Sequence, residues 1–369
     1  IRDLIYSILP LKDIIPPGFM DLMLFSGIML LILTIDLAII IVWMERKLIA
    51  RMMVRRGPTH IGPFGLLQNI ADAIKLMTKE ILIPAKTDRF GFLFALFLMV
   101  ATAAISVMVI PWSAPNSITG QGESFLITNP SAGMLFIFAI FSVYPIAVLV
   151  AGWASNNKYS LLGGFRSAAQ LISYEIPMVL SVLGVIILVN WDKASANTLS
   201  FSFLDIVQFQ VKYNMILAIP LFLSFLVYFT AMLAETERIP FDLPEAESEL
   251  VMGWRTEYGS GPYMLIMAIE YFHAFVNASI AVLLFLGGWT NIIFGPVVIP
   301  DLIYNPIAPA LWFLIKVHLV IFVMILVRAA LPRVRVDQFL TIGWTRLIPL
   351  AFLSLIYTIV FGWFFLHPF

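Results

Sequence analysis

The sequence contains no cysteine, and this absence excludes several kinds of chemistry. Without cysteine there can be no disulfide, no thiol nucleophile and no cysteine-ligated iron–sulfur cluster. Histidine is also scarce, with four residues far apart in a chain of 369, so neither a haem held by a histidine pair nor a zinc site is expected. If electrons are involved, another subunit must carry them.

Charge is also in short supply. Charged residues make up 12% of the sequence and hydrophobic residues 61%, whereas an ordinary soluble domain has about 25% charged residues. The mean hydropathy is +0.97. The composition therefore predicts an integral membrane protein in a lipid bilayer. No basic, signal-like segment follows Ile1, so we expect no targeting peptide.

Long apolar runs are abundant. A membrane-spanning helix needs about 20 mostly apolar residues, and the sequence offers eight candidates. We therefore predict an all-α membrane protein, a single polytopic domain over residues 1–369 with eight transmembrane helices. These helices are expected near residues 22–44, 90–110, 134–153, 172–189, 215–233, 263–286, 311–327 and 347–365.

The basic residues predict the orientation of the chain. Sixteen Lys and Arg residues fall in the connections on one side of the predicted bundle and four on the other. The positive-inside rule places the richer side in the cytoplasm, with both termini facing away from it. We expect a prokaryotic cytoplasmic membrane, with an organellar inner membrane as the alternative.

The longest connection on the cytoplasmic side contains an amphipathic pattern from Gly65 to Glu80. Its apolar residues share one helical face, and Asp72, Lys75 and Lys79 lie on the other. This pattern predicts a helix at the membrane surface. A surface helix that merely covers the bundle is an equal alternative. The apolar face consists of Leu66, Ile70, Ala73, Ile74 and Met77.

An acidic loop follows the fifth predicted helix. Residues 235–257 hold seven of the 22 acidic residues, and charge at the edge of a membrane is a functional-site hypothesis by default. Asp242 and Pro244 have the form of a helix start, with the acid as the cap. A solvated acidic face is one interpretation. The other is a crowded, partly buried set of carboxyl groups that titrate together and pass protons.

The exit of the first predicted helix is charged as well. Arg55 and Arg56 are best explained as positive-inside anchors. Glu45, next to Arg46 and Lys47, adds nothing to anchoring. An ion-paired cluster at this position could instead bind a polar headgroup whose tail stays in the lipid.

Ionisable residues also interrupt several predicted helices, and their helix faces are expected to be buried in protein or to line water. Glu175 lies about one turn into the fourth predicted helix, beside Pro177, and is a candidate member of a proton relay. His273 is interpreted as a core histidine rather than as a ligand. The full set is Asp36, Glu175, Glu270, His273, Lys316 and His318.

Together these stretches resemble one family, the membrane subunit of respiratory complex I that joins its hydrophilic and membrane arms, often called the H subunit. The hallmark is Arg238-x-Pro-Phe-Asp-Leu-x-Glu-x-Glu-Ser-Glu-Leu-Val-x-Gly253, followed by Thr256-Glu257-Tyr258. The resemblance spans nearly the whole chain. Its other motifs are Glu45-Arg46-Lys47, Arg56-Gly57-Pro58, Gly65 to Lys75, Lys158 to Pro177, and Arg335-x-Asp337-Gln338.

The resemblance implies a fold of eight transmembrane helices with amphipathic helices on the cytoplasmic side. It implies a tunnel and cavity for a quinone, which is the substrate, and no covalently bound cofactor. An iron–sulfur cluster in a neighbouring peripheral subunit reduces the quinone. The expected partners are the peripheral-arm subunits and the pumping subunits of the membrane arm, with no nucleic acid. Buried glutamates would link the quinone cavity to proton translocation.

The resemblance also implies roles for individual residues. Glu45, Arg46, Lys47 and Arg51 would line or flank the tunnel mouth. The tunnel or cavity would also include Arg238, Phe241, Glu257, Arg335 and Asp337. The proton path would comprise Glu175, Glu270, Glu235, Asp242, Glu245, Glu247 and Glu249.

The chain departs from the family pattern at three points. Glu237 stands where many relatives have an uncharged residue, Arg255 adds a positive charge beside the acidic loop, and Tyr144 is the only titratable residue of the third helix. Related folds serve deazaflavin-linked dehydrogenases that reduce phenazines or menaquinone, and membrane hydrogenases. These remain alternatives, as does a stand-alone ion transporter that uses Asp36, Glu175, Glu270 and Lys316.

Overall fold

The computed structural model describes residues 33–34, 36–112, 131–192, 199–244, 247–290 and 307–366. All regular secondary structure in these ranges is helical, which confirms the all-α class. Short π-helical segments cover Leu37–Ile41 and Ile342–Leu347, and 3-10 turns cover Pro63–Gly65 and Gly253–Arg255. The α-helices are α1 Val42–Met52, α2 Gln68–Thr78, α3 Arg89–Val109, α4 Gly133–Phe141, α5 Tyr144–Ala154, α6 Lys158–Asp192, α7 Phe203–Lys212, α8 Phe222–Glu235, α9 Glu247–Leu250, α10 Ser260–Phe285, α11 Ile307–Ala330, α12 Val336–Thr341 and α13 Ile348–Leu366.

Six segments of the described chain are long and apolar enough to cross a membrane. They correspond to the second, third, fourth, sixth, seventh and eighth predicted helices. The third span consists of α4 and α5, which a short break separates, and Pro145 stands at the start of the second piece. The protein is therefore a multi-pass membrane protein by its helices. The spans are 89–109, 133–154, 158–192, 260–285, 309–330 and 336–365.

Two of the eight predicted spans are not confirmed. The first, residues 22–44, lies mostly outside the described residues, although the chain is helical from Asp36 onward. The fifth, 215–233, was placed wrongly, because α8 begins at Phe222 and has 14 residues. Asn214 has a positive φ of 46°, and Pro220 disfavours a helical conformation at Ile219. The segment before Phe222 therefore forms turns.

The fourth predicted helix begins earlier than expected. Helix α6 runs for 35 residues from Lys158, so Glu175 lies near its middle rather than one turn from its start. Pro177 is accommodated inside the helix. Periodicity alone missed the first part because Lys158, Arg166 and Gln170 interrupt the apolar run, yet small residues there pack closely against the rest of the protein.

Helix α6 is the centre of the bundle and packs against α5, α8 and α13. Helix α10 packs against α3 and α11. The N-terminal part of α6 meets the 3-10 turn 253–255 at a close approach. A Cβ added to Gly163 would lie 2.6 Å from the Cα of Gly253. Only a glycine at this position lets the acidic loop lie directly on α6.

Three of the ionisable residues predicted within helices, Asp36, Lys316 and His318, have partners in the structure. The Nε2 atom of His318 lies 3.3 Å from a carboxylate oxygen of Asp36, which joins α11 to the first helix. The Nζ of Lys316 donates to the carbonyl oxygens of Leu286, Gly288 and Thr290 at 2.7, 3.0 and 2.6 Å. These carbonyls follow the C-terminus of α10 and have no acceptor role within the helix. The ammonium group therefore caps α10.

The predicted amphipathic helix is present as α2, shorter than the expected 65–80. Arg46 on α1 forms an ion pair of 2.6 Å with Asp72 on α2, and the indole nitrogen of Trp43 donates to the carbonyl of Phe64. Ile74 and Met77 are exposed. The helix is thus attached to the exit of the first helix through its polar side, while part of its apolar side stays uncovered.

Candidate functional site

The acidic loop, residues 236–259, folds back onto the N-terminal half of α6. The side-chain amide of Gln170 donates to the carbonyls of Ala234 and Phe241 at 2.8 and 2.7 Å. The hydroxyl of Ser160 donates to the carbonyl of Trp254 at 3.0 Å. These bonds satisfy buried backbone groups, and they bury the acids of the loop that lie nearest to α6.

A first ion cluster, called the Glu45 cluster, joins four parts of the chain. Arg238 of the loop donates to one oxygen of Glu45 at 2.5 Å, and Arg328 of α11 donates to the other. The Arg238 guanidinium lies 4.6 Å from the ring centroid of Tyr271 on α10. Glu45 is 4% exposed. One carboxylate therefore holds two cations at the end of the first helix.

A second cluster, called the Arg255 cluster, lies between the loop and α10. The Arg255 guanidinium is 3.1 Å from a carboxylate oxygen of Glu237 and 2.5 Å from one of Glu270. Ser167 of α6 donates to the other oxygen of Glu237. Glu237 is 5% and Arg255 1% exposed. Burial raises the pKa of Glu237 to about 7, although the charge of Arg255 limits this rise.

A third pair joins the loop to the segment before α12. A guanidinium nitrogen of Arg333 donates to Asp242 at 2.8 Å. Burial raises the pKa of Asp242 against the opposing effect of Arg333. The prediction that Asp242 caps a helix was wrong, because Leu243 and Pro244, which would form the first turn of that helix, are not helical. The carboxylate is turned inward to meet Arg333 instead.

The three groups together contain four carboxylates and four guanidinium groups from distant parts of the chain. Buried charges are tolerated when they are paired and hydrogen-bonded. Such groups offer donors to a polar headgroup, and Glu237, whose pKa burial raises to about 7, can hold a proton near neutral pH. The solvated-face interpretation is therefore wrong for Glu237 and Asp242, which are both buried.

Comparison with known proteins identifies the family. The family described as NADH dehydrogenase matches residues 25–359. The NADH-quinone oxidoreductase H subunit 2 of Syntrophobacter fumaroxidans is 40% identical over 341 residues, which cover 90% of this chain and 96% of the relative. The corresponding H subunit of Protochlamydia amoebophila is 41% identical over 319 residues (86% and 91%). That of Geobacillus kaustophilus is 38% identical over 353 residues (95% and 97%).

The chain belongs to the family of NADH-quinone oxidoreductase H subunits. The resemblance of its motifs to this family is thereby confirmed. As a member of this family, the chain acts as one part of a multisubunit oxidoreductase, and other subunits of that complex are its partners. Glu237 and Arg255, the two positions of the acidic loop at which we expect the chain to depart from the family pattern, contact each other.

The remaining acids of the loop differ in environment. Glu249 is exposed and forms an ion pair of 2.6 Å with Arg166 of α6. Glu257 accepts a hydrogen bond of 2.7 Å from the amide of Asn157. Glu245 lies outside the described residues, as does the side chain of Glu247. For Glu249, a solvated carboxylate is the better description.

Two acids lie deeper, where α6 and α8 pack. Glu235 ends α8 and is buried, and its Oε2 atom has no hydrogen-bond partner among the described residues. Glu175 of α6 is partly buried, and the two carboxyl groups are close enough to interact electrostatically. Glu235 also interacts with Glu237. The structure therefore brings several residues of the predicted proton path together and places Glu237 beside them.

The predicted tunnel residues fall into two groups. Phe241 is buried against the rings of Tyr174 and Phe339, at centroid distances of 5.3 and 6.1 Å. Arg238 and Glu45 form the cluster described above. The other group lies nearer the surface: Arg46, Arg51, Arg335 and Asp337 are exposed and Lys47 is partly exposed.

Several residues of the site escaped prediction. Arg328, Arg333, Tyr271 and Ser167 contact the clusters, but none was named as a site residue. Arg328 had a usable signal, because a lone arginine at the end of an apolar helix needs a counter-charge. Arg333 lies near Arg335, which the family motif does include. Ser167 and Tyr271 carried no comparable signal in the sequence.

A resident metal has no support in the part of the chain that the structure describes. No group of three or more metal-ligating side chains occurs among those residues. His273 is buried against the rings of Phe141 and Tyr144, and its Nε2 has no hydrogen-bond partner among the described residues.

An apolar groove beside Ile187 and Trp191 lies at the opposite end of α6 from the clusters.

Proposed function

We propose that the chain forms the access tunnel and cavity for a quinone and links quinone reduction to proton translocation through buried carboxylates. The quinone is the substrate, and no cofactor is bound covalently to this chain. Electrons come from an iron–sulfur cluster in a neighbouring peripheral subunit. The observation that carries the proposal is the set of two ion clusters and one ion pair that join the acidic loop to the rest of the chain through the buried acids Glu45, Glu237 and Asp242.

The tunnel mouth is assigned to the exit of the first helix. There Glu45, Arg46, Lys47 and Arg51 lie on α1, beside the amphipathic helix α2. A quinone headgroup has carbonyl oxygens that accept hydrogen bonds, and the guanidinium groups of Arg238 and Arg328 are donors. Glu45 holds these two groups in fixed positions. Further tunnel or cavity residues are Phe241, Glu257, Arg335 and Asp337.

Proton coupling is assigned to the carboxylates. Quinone reduction consumes protons as well as electrons, so the cavity needs groups that can supply protons near neutral pH. A buried carboxyl group can have its pKa raised into this range. The proposed path runs from Asp242, Glu245, Glu247 and Glu249 to Glu235, Glu175 and Glu270.

The partners follow from the same assignment. The cytoplasmic face with α2 and the acidic loop docks the peripheral electron-transfer arm, and the pumping subunits of the membrane arm pack beside the bundle. The relatives at 38–41% identity are named NADH-quinone oxidoreductases, which supports a quinone over a phenazine. We place the chain in a prokaryotic cytoplasmic membrane, as a single domain with eight transmembrane helices.

The proton role is tested with the variant Glu270→Gln in the assembled complex in inverted membrane vesicles. This change removes the charge that faces Arg255 but keeps the shape of the side chain. Loss of an acid–base group lowers rates by about 100-fold or more when it takes part directly. We expect NADH:quinone reduction, proton pumping or both to fall at least about tenfold.

The matched control is Asp192→Asn. Asp192 is also an acid in an ion pair, 2.7 Å from Lys212, but it lies at the other end of α6. This variant should reduce quinone and pump at the normal rate. Wild-type reduction and pumping in a correctly assembled Glu270→Gln complex would overturn the proton role.

The tunnel is tested separately with a photoreactive quinone analogue in the assembled complex. We expect covalent labelling of peptides from α1 and from residues 236–259, and unlabelled quinone should compete. Labelling confined to other subunits, under conditions in which quinone reduction is inhibited, would overturn the tunnel assignment.

A further inference from the structure

The Arg255 cluster has an unusual charge balance. It places two carboxylates, Glu237 and Glu270, on one guanidinium group, at 3.1 and 2.5 Å. The guanidinium also lies 5.1 Å from the ring centroid of Trp254. If both acids are ionised, the three side chains of this cluster carry a net charge of −1, which positive charge outside the cluster must offset. An uncompensated buried charge is costly, and a buried acid relieves this cost by binding a proton.

The surroundings distinguish the two acids. Glu270 interacts favourably with Arg238 and Arg328 as well as with Arg255. Among the described residues, Arg255 attracts the carboxylate of Glu237, whereas Glu270 and Asp242 repel that carboxylate. The positive charge near the cluster is therefore concentrated on the side of Glu270. This distribution favours the proton on Glu237.

The hydrogen bonding of Glu237 suits both protonation states. When Glu237 is ionised, the hydroxyl of Ser167 donates to it, as in the structure. When Glu237 is protonated, its own O–H group can donate to the hydroxyl oxygen of Ser167, since a serine hydroxyl both donates and accepts. Neither state leaves this oxygen unpaired, so the proton can exchange without rearrangement of the backbone.

We propose that Glu237 binds one exchangeable proton, and that Arg255 is the positioning residue that stabilises the ionised form of Glu237 enough for this proton to be released. Uptake converts one carboxylate and one proton from water into a neutral carboxylic acid, with no change of redox state. Arg255 stays charged and paired with Glu270. The proposal deepens the proposed proton coupling, on which it rests, because it adds a member to the path.

The pKa of Glu237, raised by burial to about 7, agrees with this assignment. The titratable groups within electrostatic reach come from all elements packed around it. On the loop these are Asp242 and Arg255, and Glu235 lies at the end of α8. The others are Glu270 on α10 and Tyr144 on α5. Glu235 is a candidate next acceptor, because its buried Oε2 has no hydrogen-bond partner among the described residues.

The test is an infrared titration of the purified, assembled complex between about pH 5 and pH 9, a range that brackets a carboxyl group shifted to neutrality. In wild type, the carboxylic C=O band of protonated Glu237 should disappear as pH rises, with a midpoint near pH 7. Glu237→Gln should lack this component, and the control Asp192→Asn should keep it. An unchanged titration in Glu237→Gln would overturn the proposal.

The role of Arg255 is tested by the midpoint of the same titration. Arg255→Gln removes the cation, so the ionised form of Glu237 is disfavoured and the midpoint should rise by at least about one pH unit. Arg255→Lys should restore it in part. If Arg255→Gln does not assemble, Arg255→Lys serves instead, because an ammonium group lacks the planar set of donors with which the guanidinium meets two carboxylates, and the midpoint should then rise by a smaller amount. An unchanged midpoint in the variant that assembles would refute the positioning role.

Failure of this proposal is distinguishable from failure of the proposed function. The titration needs no turnover, so normal pumping in Glu270→Gln would leave the Glu237 band in place. Conversely, Glu237→Gln could leave the infrared titration unchanged while Glu270→Gln impairs pumping. The proposed proton path would then stand, and Glu237 would not belong to it.

Discussion

The Glu45 cluster makes the strongest prediction about stability. Glu45 is the single acid between Arg238 and Arg328, and the side chains of the three residues are 6%, 11% and 29% exposed. Glu45→Gln leaves two guanidinium groups side by side with no counter-charge from this position. The contacts join α1, the acidic loop and α11, so their loss should loosen three parts of the bundle at once.

The size of the effect follows from burial. Removal of one partner of a buried ion pair costs about 3–5 kcal/mol. Glutamine keeps a carbonyl acceptor, so we expect the lower end, about 3 kcal/mol. If the whole loss of stability lowers the activation free energy of thermal inactivation, the inactivation rate rises by about 100-fold. Glu45→Gln/Arg328→Gln should recover part of the loss, because it removes one of the two facing cations.

The assay is the rate of thermal inactivation of the purified complex, measured by quinone reductase activity. The matched control is Asp72→Asn, which breaks the pair with Arg46 next to Glu45. That pair is 43% and 31% exposed, and an exposed pair contributes about 0–1 kcal/mol. We expect Asp72→Asn to accelerate inactivation about fivefold at most. Equal acceleration by the two variants would refute the reasoning.

Three further predictions concern the loop and α6. Gly163→Ala should lower the free energy of unfolding by about 1–3 kcal/mol through overpacking and should lower quinone reduction, since its Cβ would lie 2.6 Å from the Cα of Gly253. The control Gly259→Ala, whose Cβ would have no atom within 4 Å, should change neither stability nor activity. Because the pKa of Glu237 is raised in the folded protein, its protonation stabilises the protein at acidic pH, and this stabilisation is lost as pH rises from about 4.5 through about 7. The inactivation rate of wild type should therefore rise across this range relative to that of Glu237→Gln. Ser160→Ala should cost about 1 kcal/mol in the same inactivation assay, because it removes a buried hydrogen bond to Trp254.

The helices could be predicted where the signal is local. The helix predicted over 90–110 is observed as Arg89–Val109, and the helix predicted over 263–286 is observed as Ser260–Phe285. An apolar stretch of that length has few alternatives in a membrane. Helix α6 exceeded its apolar run because its N-terminal half lies against the acidic loop. The boundary of a helix that packs on polar protein cannot be found from hydropathy.

The pairing of charges could not be predicted, because the partners are distant in the chain. Glu45 and Arg328 are 283 residues apart, and Glu45 and Arg238 are 193 apart. The sequence showed that these charges would need partners, but not which ones. Glu237 and Arg255 are only 18 residues apart, yet their pairing was not predicted either.

The acidic loop shows where local rules fail. Asp242 and Pro244 match a helix cap by type and spacing, and a cap contributes about 1 kcal/mol. The pair with Arg333 and the packing of Phe241 beside it outweigh that gain. The assignments of Glu245 and Glu247 stay predictions, since the described side chains do not include them.

The cap that Lys316 provides has a consequence for how the protein is made. The carbonyls of Leu286, Gly288 and Thr290, which follow α10, accept from one ammonium group, and hydrocarbon would offer them no donor. Their donor arrives on a helix synthesised later, and its ammonium group is itself costly in lipid until it finds those carbonyls. We therefore expect the two segments to leave the insertion machinery as a hairpin rather than one after the other.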